Sequence, residues 1–310
     1  MINWSEKRVL ITGGTGFIGS FLVEALVQKG ARVRVPVHTS GYGHLSADIP
    51  GVEWFKGDLQ DIDFCRKLVA DTEYVFHLAA VQKNIAYHHE HAGAVLMSNL
   101  SLSVSLIQAL AGRSPVPVVF FSSSLVKESL AVSGENSVEP VDGYTLSKAI
   151  SEILWGASAR ESQFSLLIIR PAGVYGPREK FGSDAHVIPS LMERAATAPD
   201  VLEVWGDGCQ ERAFVYVTDV VDAVLILAEL GAEGVQYIGP SASVPVRVLA
   251  ETIRDVVRPG LPLHFDISKP SSSSYIPPLS VHSSLIAFPW TSLENGIRMM
   301  HDWYLSHLPS

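Results

Sequence analysis

Tyr144 and Lys148 lie four residues apart in the sequence, a spacing that places both side chains on one face of a helix. A free tyrosine has a pKa of about 10 and is a poor acid or base at neutral pH. Because a nearby cation favours the phenolate, we expect the Lys148 ammonium to bring the pKa of Tyr144 towards neutrality. Tyr144 could then pass a proton to or from a carbonyl or hydroxyl oxygen.

A serine-rich turn precedes this pair in the chain. Ser123 lies in the middle of a serine triplet that follows the apolar segment 118–121, which reads as a buried strand. Residues at the carboxyl ends of parallel strands face the ligand in open α/β sheets, so Ser123 is predicted to lie there. A serine triplet or a Tyr-x-x-x-Lys pair alone occurs in many proteins, but the two together with a glycine turn are specific.

That glycine turn lies near the start of the chain, between the predicted strand 8–12 and a helix. Gly13 permits the tight turn, Gly16 lets the backbone approach a pyrophosphate, and Gly19 lets the helix pack closely on the strand. Free backbone N–H groups at the start of the helix would face the phosphates. The motif therefore predicts a nucleotide cofactor.

Strands and helices alternate along the rest of the chain, which indicates an α/β fold with a Rossmann-type, doubly wound parallel sheet. The predicted strands after the first are 31–37, 52–56, 74–78, 118–121 and 235–238; the first predicted helix ends at 30, and later ones span 61–70, 93–111, 144–160, 219–230 and 293–305. The Ser- and Pro-rich stretch 268–284 reads as an irregular loop.

The end of the second strand bears on the choice of cofactor. The segment 34–40 carries no carboxylate, whereas NAD sites place an acidic residue there to accept from the adenosine ribose. His38 and Ser40 could instead donate to a 2′-phosphate, so the sequence favours NADP(H), with NAD(H) as the alternative. Asp58, after the third strand, reads equally well as an acceptor from the adenine amino group or as a turn or N-cap aspartate.

The histidines and cysteines do not show the spacing of metal ligands, and no metal is expected. His77 ends the fourth strand and is given a supporting role. The histidine-rich stretch 82–91 is predicted to be a polar loop. Cys65 and Cys209 are far apart in the chain and are expected to be reduced thiols.

Length and composition limit the class of protein. With 310 residues and 47 % hydrophobic content, the chain can bury one large core or two modest ones, and we expect two lobes. The net charge is −9 and the basic residues are dispersed, which argues against a nucleic-acid partner. The polar N-terminus lacks the apolar core of a signal peptide, and no apolar run of membrane-spanning length is expected. We therefore expect a cytoplasmic protein without a membrane partner.

With these motifs in place, the chain resembles the extended short-chain dehydrogenase/reductases, in particular the NAD(P)-dependent nucleotide-sugar epimerase/dehydratase family. The resemblance covers nearly the whole chain. It is carried by Gly13, Gly16, Gly19, Asp58, the His-Leu-Ala-Ala segment 77–80, Asn99, Ser123, Tyr144, Lys148, and the segments 170–177 and 212–219.

The resemblance implies roles for these residues. Ser123 and Tyr144 would bind the substrate oxygen that is oxidised or reduced, and Lys148 would hold the nicotinamide ribose. Further cofactor contacts implied in the same way are Thr15, Phe17, Ile18, Leu59, Leu78, Ala79, Ala80, Asn99, Pro171 and Val174.

Within the family, the segments 185–191 and 204–208 are similar to those of the GDP-L-fucose synthase group. This implies that His186 acts as an acid beside a ketone, and that Arg194 and Arg212 bind a nucleotide diphosphate, for which a guanidinium is well suited. A solvated helix face is the alternative for Arg194. The remaining substrate contacts implied are Ser124, Leu125, Val187 and Trp205.

Leu125 departs from that group, which carries a cysteine base at the aligned position. Leucine cannot accept a proton, so we predict that epimerisation is lost while hydride transfer is retained. The residues after Ser123 also lack the acidic group of the 4,6-dehydratases, so we do not expect the protein to catalyse dehydration.

The resemblance thus implies an NAD(P)H-dependent C4 reductase of a nucleotide-activated, GDP-linked 4-keto-6-deoxy sugar, of the kind that serves polysaccharide biosynthesis. The alternatives are a 4-epimerase with tightly bound NAD and a non-catalytic NADP-sensing protein. The implied Rossmann domain is 1–170 with about 215–240, and the implied smaller α/β substrate lobe is 171–214 with 241–310. A homodimer is expected through helices 93–111 and 144–160.

Overall fold

The computed structural model describes residues 2–38, 41–83, 85–126, 142–182, 185–269 and 282–307. The chain forms two compact units. Unit 1 comprises residues 1–170 and 224–236, and unit 2 comprises residues 171–223 and 237–310. Ser40 and most of the predicted loop 268–284 lie outside the described residues.

Strands and helices alternate through the first part of the chain, as the hydrophobic pattern predicts. In order, they are β1 (Arg8–Thr12), α1 (Phe17–Gln28), β2 (Arg32–Val37), β3 (Val52–Lys56), α2 (Ile62–Val69), β4 (Tyr74–His77), α3 (Ile85–Glu90), α4 (Ala92–Leu110), β5 (Val118–Phe121), α5 (Gly143–Ser162) and β6 (Leu166–Pro171).

Shorter strands are interspersed with helices in the second part. They are β7 (Gly173–Tyr175), α6 (Val187–Thr197), β8 (Leu202–Trp205), β9 (Glu211–Arg212), β10 (Phe214–Tyr216), α7 (Val217–Glu229), β11 (Gly234–Ile238), β12 (Val244–Pro245), α8 (Val246–Val257), β13 (Leu263–Asp266), a 3₁₀ turn (Ser283–Leu285) and α9 (Leu293–Ser306).

A seven-stranded sheet has the order β11-β6-β5-β4-β1-β2-β3, and the pairs from β6 to β3 are parallel. The central strands are short apolar runs with buried residues, such as Leu10 and Ile11 in β1 and Phe120 in β5, whereas the edge strand β3 is only partly buried. The strand order reverses between β1 and β4, which is where sheets of this type bind ligands. The Rossmann-type fold predicted from the sequence is confirmed.

The stretch 82–91 differs from the prediction of a polar loop, because residues 85–90 form α3. The segment is too short and too polar for its helical periodicity to be recognised from sequence. The next helix, α4, is long and apolar enough to span a membrane by length and composition alone, which the sequence analysis did not expect. It packs against α2 and α5 within unit 1, and a buried core helix meets the same criterion.

Unit 2 has its own hydrophobic core, built from β7, β8, β10 and helices α6, α8 and α9. Its most deeply buried side chains are Met192, Leu202, Leu249, Ile253, Ile297 and Met300. The side chain of Asp219 fixes the approach to α9 by accepting from the backbone N–H of Thr291 at 2.6 Å and from its hydroxyl at 2.8 Å.

Candidate active site

The glycine turn lies between β1 and α1, and its backbone is closely packed. Gly13 has φ +73°, and a Cβ on it would lie 2.7 Å from the backbone nitrogen of Ala79. A Cβ on Gly19 would lie 2.1 Å from the carbonyl oxygen of Gly13. Only glycine fits at both positions, and the turn is thereby held against the segment after β4 that contains Leu78, Ala79 and Ala80.

The start of α1 fits a dinucleotide. Gly16 is the N-cap residue and has no side chain that could cap the helix, and the first turn carries no acidic residue. The backbone N–H groups of the first turn, which includes Phe17 and Ile18, and the positive end of the helix dipole therefore suit the phosphates of a nucleotide. Thr15 lies within the same turn.

The end of β2 places His38 near Asp58. The imidazole Nε2 lies 3.8 Å from Asp58 Oδ2, and both side chains are exposed. The other oxygen, Oδ1, accepts from the backbone N–H of Gln60 at 2.9 Å, so Asp58 makes a turn contact. The N-cap of α2 is Asp61, which leaves the adenine contact of Asp58 a prediction.

Asn99 on α4 uses its amide within the protein. Its Oδ1 accepts from the backbone N–H of Val81 at 2.7 Å, and its Nδ2 donates to Ser147 Oγ at 3.0 Å and to the carbonyl of Val81 at 3.3 Å. Asn99 therefore ties the segment after β4 to α4 and α5. Its predicted contact with the cofactor stays a prediction.

His77, at the end of β4, is fully buried. Its Nδ1 is 2.7 Å from Thr12 Oγ1, and its Nε2 is 3.2 Å from Ser103 Oγ. Burial, followed by the charge of Lys148, lowers the pKa of His77 to about 3. His77 is therefore neutral at neutral pH and joins β1, β4 and α4 in a polar network, and its supporting role stays a prediction.

Tyr144 and Lys148 lie one helical turn apart at the start of α5, as their spacing predicts. The helix begins at Gly143, and its N-cap, Asp142, accepts from the backbone N–H of Thr145 at 2.8 Å. The Lys148 Nζ donates to the carbonyl oxygen of Phe121 at 2.6 Å and lies 5.7 Å from the centre of the Tyr144 ring.

The pKa of Tyr144 differs from the expectation. Burial in the surrounding protein, and then the charge of Asp142, raise the pKa of the Tyr144 phenol above its usual value. Burial also lowers the pKa of Lys148 to about 8, although Glu152 opposes that change. The phenol therefore stays protonated at neutral pH beside a largely charged ammonium, an arrangement suited to donating a proton.

Ser123 follows β5, two residues after the carbonyl that holds Lys148. Its Oγ accepts from the backbone N–H of Leu125 at 3.2 Å, so its own O–H can donate to another oxygen. Leu125 is half-exposed and offers no acid or base, and Ser124 lies in the same turn. Ser123 and Tyr144 belong to elements that Lys148 connects, because the Nζ of Lys148 on α5 donates to the carbonyl of Phe121 at the end of β5.

His88 was missed as a candidate by sequence reasoning. It is buried on α3, and its ring stacks on the ring of Tyr144 with centroids 5.1 Å apart and planes inclined by 10°. Its Nε2 accepts from the backbone N–H of Lys83 at 2.9 Å. His88 therefore restricts the orientation of Tyr144, a contact between separate segments that residue spacing does not reveal.

In unit 2, His186 is the N-cap residue of α6, and its Nδ1 lies 2.7 Å from Oε1 of Glu179. The Glu179 side chain is buried, whereas half of the His186 side chain is exposed. The bond to Glu179 raises the pKa of His186, and burial raises the pKa of Glu179. Glu179, which the sequence analysis did not single out, thus orients the imidazole and favours its charged form.

Arg194 and Arg212, the two arginines that the sequence singles out in unit 2, both donate to backbone carbonyls. Arg194 donates from Nε to the carbonyl of Ser190 at 3.3 Å and from a terminal nitrogen to that of Glu203 at 2.8 Å, so its guanidinium lies against the protein and not on a solvated helix face. Arg212 lies in β9, and burial lowers its pKa. Trp205 ends β8 with half of its side chain exposed.

Three further sequence-predicted residues lie in secondary structure of unit 2. They are Pro171 at the end of β6, Val174 in β7 and Val187 at the start of α6. In the described part of the chain, no group of three or more His, Cys, Asp or Glu side chains could hold a metal ion. Cys65 and Cys209 are free thiols.

Comparison with known proteins shows similarity along the whole chain. A family model described as the NAD dependent epimerase/dehydratase family matches residues 9–238. A dTDP-4-dehydro-6-deoxy-D-allose reductase of a Streptomyces species is 30 % identical over 321 residues, which cover 98 % of each chain. GDP-L-fucose synthase 1 of Arabidopsis thaliana is 26 % identical over 321 residues, covering 98 % of this chain and 94 % of that protein.

Among solved structures, a UDP-N-acetylglucosamine 4-epimerase from Methanobrevibacter ruminantium M1, in complex with UDP-N-acetylmuramic acid, has a TM-score of 0.84. It is 26 % identical, and the match covers 98 % of this chain and 100 % of that chain. Reductases and epimerases are therefore both similar to this chain over nearly its full length.

Proposed function

Because the chain belongs to the NAD dependent epimerase/dehydratase family, and is thus an NAD(P)-dependent oxidoreductase or epimerase, we propose that it reduces the C4 ketone of a nucleotide-activated 4-keto-6-deoxy sugar. The observation that carries this proposal is the full-length similarity to a 4-dehydro-6-deoxy sugar reductase. Leu125, which cannot act as a base, supports a reaction without epimerisation at C3 or C5.

In the proposed reaction, residues of unit 1 bind the cofactor and the ketone oxygen of the sugar, and one of them protonates that oxygen. Bound NAD(P)H supplies the hydride to C4. The Ser123 hydroxyl donates to the ketone oxygen, and the protonated phenol of Tyr144 gives its proton to that oxygen as negative charge develops there. The charged ammonium of Lys148, 5.7 Å from the ring centre, then stabilises the phenolate and binds the nicotinamide ribose.

We propose that residues of unit 2 bind the nucleotide-sugar substrate. His186, oriented by Glu179, is proposed to bind an oxygen of the sugar or of the diphosphate. Arg194 and Arg212 are proposed to bind the diphosphate, with Val187 and the exposed ring of Trp205 as further contacts. The predicted division into a Rossmann domain and a substrate lobe is retained as part of this proposal.

The proposal also includes NADP(H) as the preferred cofactor, because His38 follows β2 directly, where NAD sites carry an acid. We predict that His38→Asp reverses this preference. A carboxylate would repel a 2′-phosphate and accept from ribose hydroxyls. Coulomb repulsion of about 1–4 kcal/mol at close range corresponds to a loss of NADP(H) affinity of about 5- to 1,000-fold. The dissociation constants of NADPH and NADH, measured by fluorescence titration, test this.

The control for this variant is His264→Asp, which makes the same change at an exposed site on β13. It should leave both dissociation constants unchanged. Equal affinities for the two cofactors in the wild-type protein, unaltered in His38→Asp, would contradict the preference for NADP(H).

The proposed reaction is tested by incubating the protein with NADPH and dTDP- or GDP-linked 4-keto-6-deoxy sugars in deuterated water. We expect oxidation of NADPH and a product reduced at C4 without deuterium at C3 or C5, beyond that incorporated in a sample lacking protein. The GDP-linked sugar is the substrate predicted from the sequence, and the dTDP-linked sugar corresponds to the Streptomyces relative. Deuterium at C3 or C5 above the control would show that epimerisation persists despite Leu125.

A nucleotide-sugar 4-epimerase is the second candidate, and the similarity to a solved UDP-N-acetylglucosamine 4-epimerase favours it. Such an enzyme would use the same serine, tyrosine and lysine with a cofactor that is regenerated within the site. The reductase and the epimerase are distinguished by heating freshly purified protein and identifying any nucleotide that it releases. Stoichiometric NAD supports the epimerase, whereas a nucleotide-free protein supports the reductase.

The expected homodimer remains part of the proposal. Met97 on α4 and Ile153 on α5 are large apolar side chains with exposed fractions of 65 % and 59 %, and the two helices pack against each other. A second copy of the chain could cover these side chains, which would remove them from water.

A further inference from the structure

Glu152 lies on α5, one helical turn after Lys148 and two after Tyr144. Its carboxylate forms a bidentate ion pair with Arg170 at the end of β6: Nε is 2.9 Å from Oε1, and a terminal nitrogen is 2.6 Å from Oε2. The side chain of Glu152 is 10 % exposed and that of Arg170 is 18 % exposed. A buried carboxylate in this position is costly unless such contacts satisfy it.

The same carboxylate also contacts the strand that leads to Ser123. Ser122 donates from its hydroxyl to Oε1 of Glu152, and the backbone N–H of Ser122 donates to the carbonyl of Ile169 in β6. Lys148 bonds to the carbonyl of Phe121. Two side chains of α5, Lys148 and Glu152, therefore hold the two consecutive residues that precede Ser123.

We propose that Glu152 is a positioning residue of the active site, which fixes the turn at Ser123 through Ser122 and places a negative charge one helical turn from the ammonium of Lys148. This inference rests on the roles proposed above for Ser123 and Lys148. Arg170 has the complementary task of moderating the negative charge of Glu152 through its bidentate ion pair.

The charged and titratable groups around Lys148 come from several elements. Glu152 and Tyr144 lie on α5 itself, neutral His77 lies on β4, and His88 on α3 stacks on Tyr144. Burial lowers the pKa of Lys148 to about 8, and Glu152 acts in the opposite direction. Without the carboxylate, the pKa of Lys148 would fall further below its usual value, and less of the charge that stabilises a phenolate would remain at neutral pH.

We predict that Glu152→Gln and Arg170→Gln change the titration of Lys148 in opposite directions. Glu152→Gln removes the attracting charge and should lower the pKa of Lys148 by about one pH unit, whereas Arg170→Gln removes a cation from the pair and should raise it. The titration is followed by NMR of protein labelled at the lysine ε-carbon, with Lys148→Arg to assign the signal. This measurement requires no sugar substrate.

A second readout is the affinity for NAD(P)H as a function of pH. In the wild-type protein, affinity should fall as pH rises through the pKa of Lys148, because the protonated form is the one that binds ribose. The fall should begin about one pH unit lower in Glu152→Gln. Glu161→Gln makes the same change at an exposed site on the same helix, and its titration and affinity should match the wild type.

If Glu152 had a merely structural role, both variants would lose thermal stability while the pKa of Lys148 stayed unchanged, or that pKa would move in the same direction in both. Either result overturns the proposal. If Glu152→Gln does not fold, the Arg170→Gln shift is compared with the double variant Glu152→Gln/Arg170→Gln, in which the upward shift should disappear. Failure to reduce any 4-keto sugar would contradict the proposed function but leave the titration result intact.

Discussion

Replacing Tyr144 by phenylalanine is expected to lower the rate of keto-sugar reduction by about 100- to 10,000-fold, the range of a general acid–base contribution. The phenol is the proton donor in the proposed reaction, and phenylalanine keeps the ring but lacks the hydroxyl. Because the pKa of Tyr144 is raised by burial, the donor is protonated across the physiological pH range, so the loss should be similar at each pH tested.

The variant should remain folded and should bind the cofactor. The ring of phenylalanine can stack on His88 in place of the tyrosine ring, and the bond from Lys148 to the carbonyl of Phe121 does not involve the hydroxyl. The measurement is the steady-state rate of NADPH oxidation with saturating sugar, beside the dissociation constant of NADPH. We expect kcat to fall while that dissociation constant stays within about twofold.

Tyr304→Phe is the matched control, since it removes a hydroxyl from a partly buried tyrosine on α9. It should retain the wild-type rate. A Tyr144→Phe variant with an undiminished rate would refute the proton-donor role, and one that left every cellular function intact would favour the non-catalytic alternative.

Local patterns predicted the framework of unit 1 because they depend on neighbours in the chain. The strand β1, the glycine turn and α1 follow from residues 8–28 alone, and their alternation with later apolar strands identified the parallel sheet. The family and the enzyme class were likewise predicted from motifs and are confirmed by the comparisons. The assignments of individual site residues remain predictions.

Contacts between distant segments could not be predicted in the same way. The stack of His88 on Tyr144 depends on α3, whose six residues carry no clear helical pattern. The pKa of Tyr144 was expected to fall because spacing revealed the lysine but not the burial that outweighs it. Glu152 could have been found from sequence, since it continues the spacing of Tyr144 and Lys148 along one helix face, but its partners Ser122 and Arg170 could not.

Gly19→Ala is expected to weaken dinucleotide binding by about 5- to 150-fold. The added Cβ would lie 2.1 Å from the carbonyl oxygen of Gly13, so α1 or the glycine turn must move. Overpacking of this kind costs about 1–3 kcal/mol, which corresponds to that loss of affinity if the cost falls on the nucleotide-binding geometry. Backbone N–H groups aimed at a pyrophosphate lose their hydrogen bonds when the turn shifts.

The control is Gly93→Ala, the same substitution near the start of another helix, where the Cβ would meet nothing within 4 Å. Alanine is the better helix former by about 0.5–1 kcal/mol, so this variant should unfold at a slightly higher temperature and bind the nucleotide normally. Thermal unfolding by circular dichroism and fluorescence titration with NADPH and NADH measure both properties. Because the close contact lies at the glycine turn and not in the hydrophobic core, Gly19→Ala should lose affinity for the nucleotide while remaining folded. Wild-type affinity in that variant would show that cofactor binding does not depend on the turn.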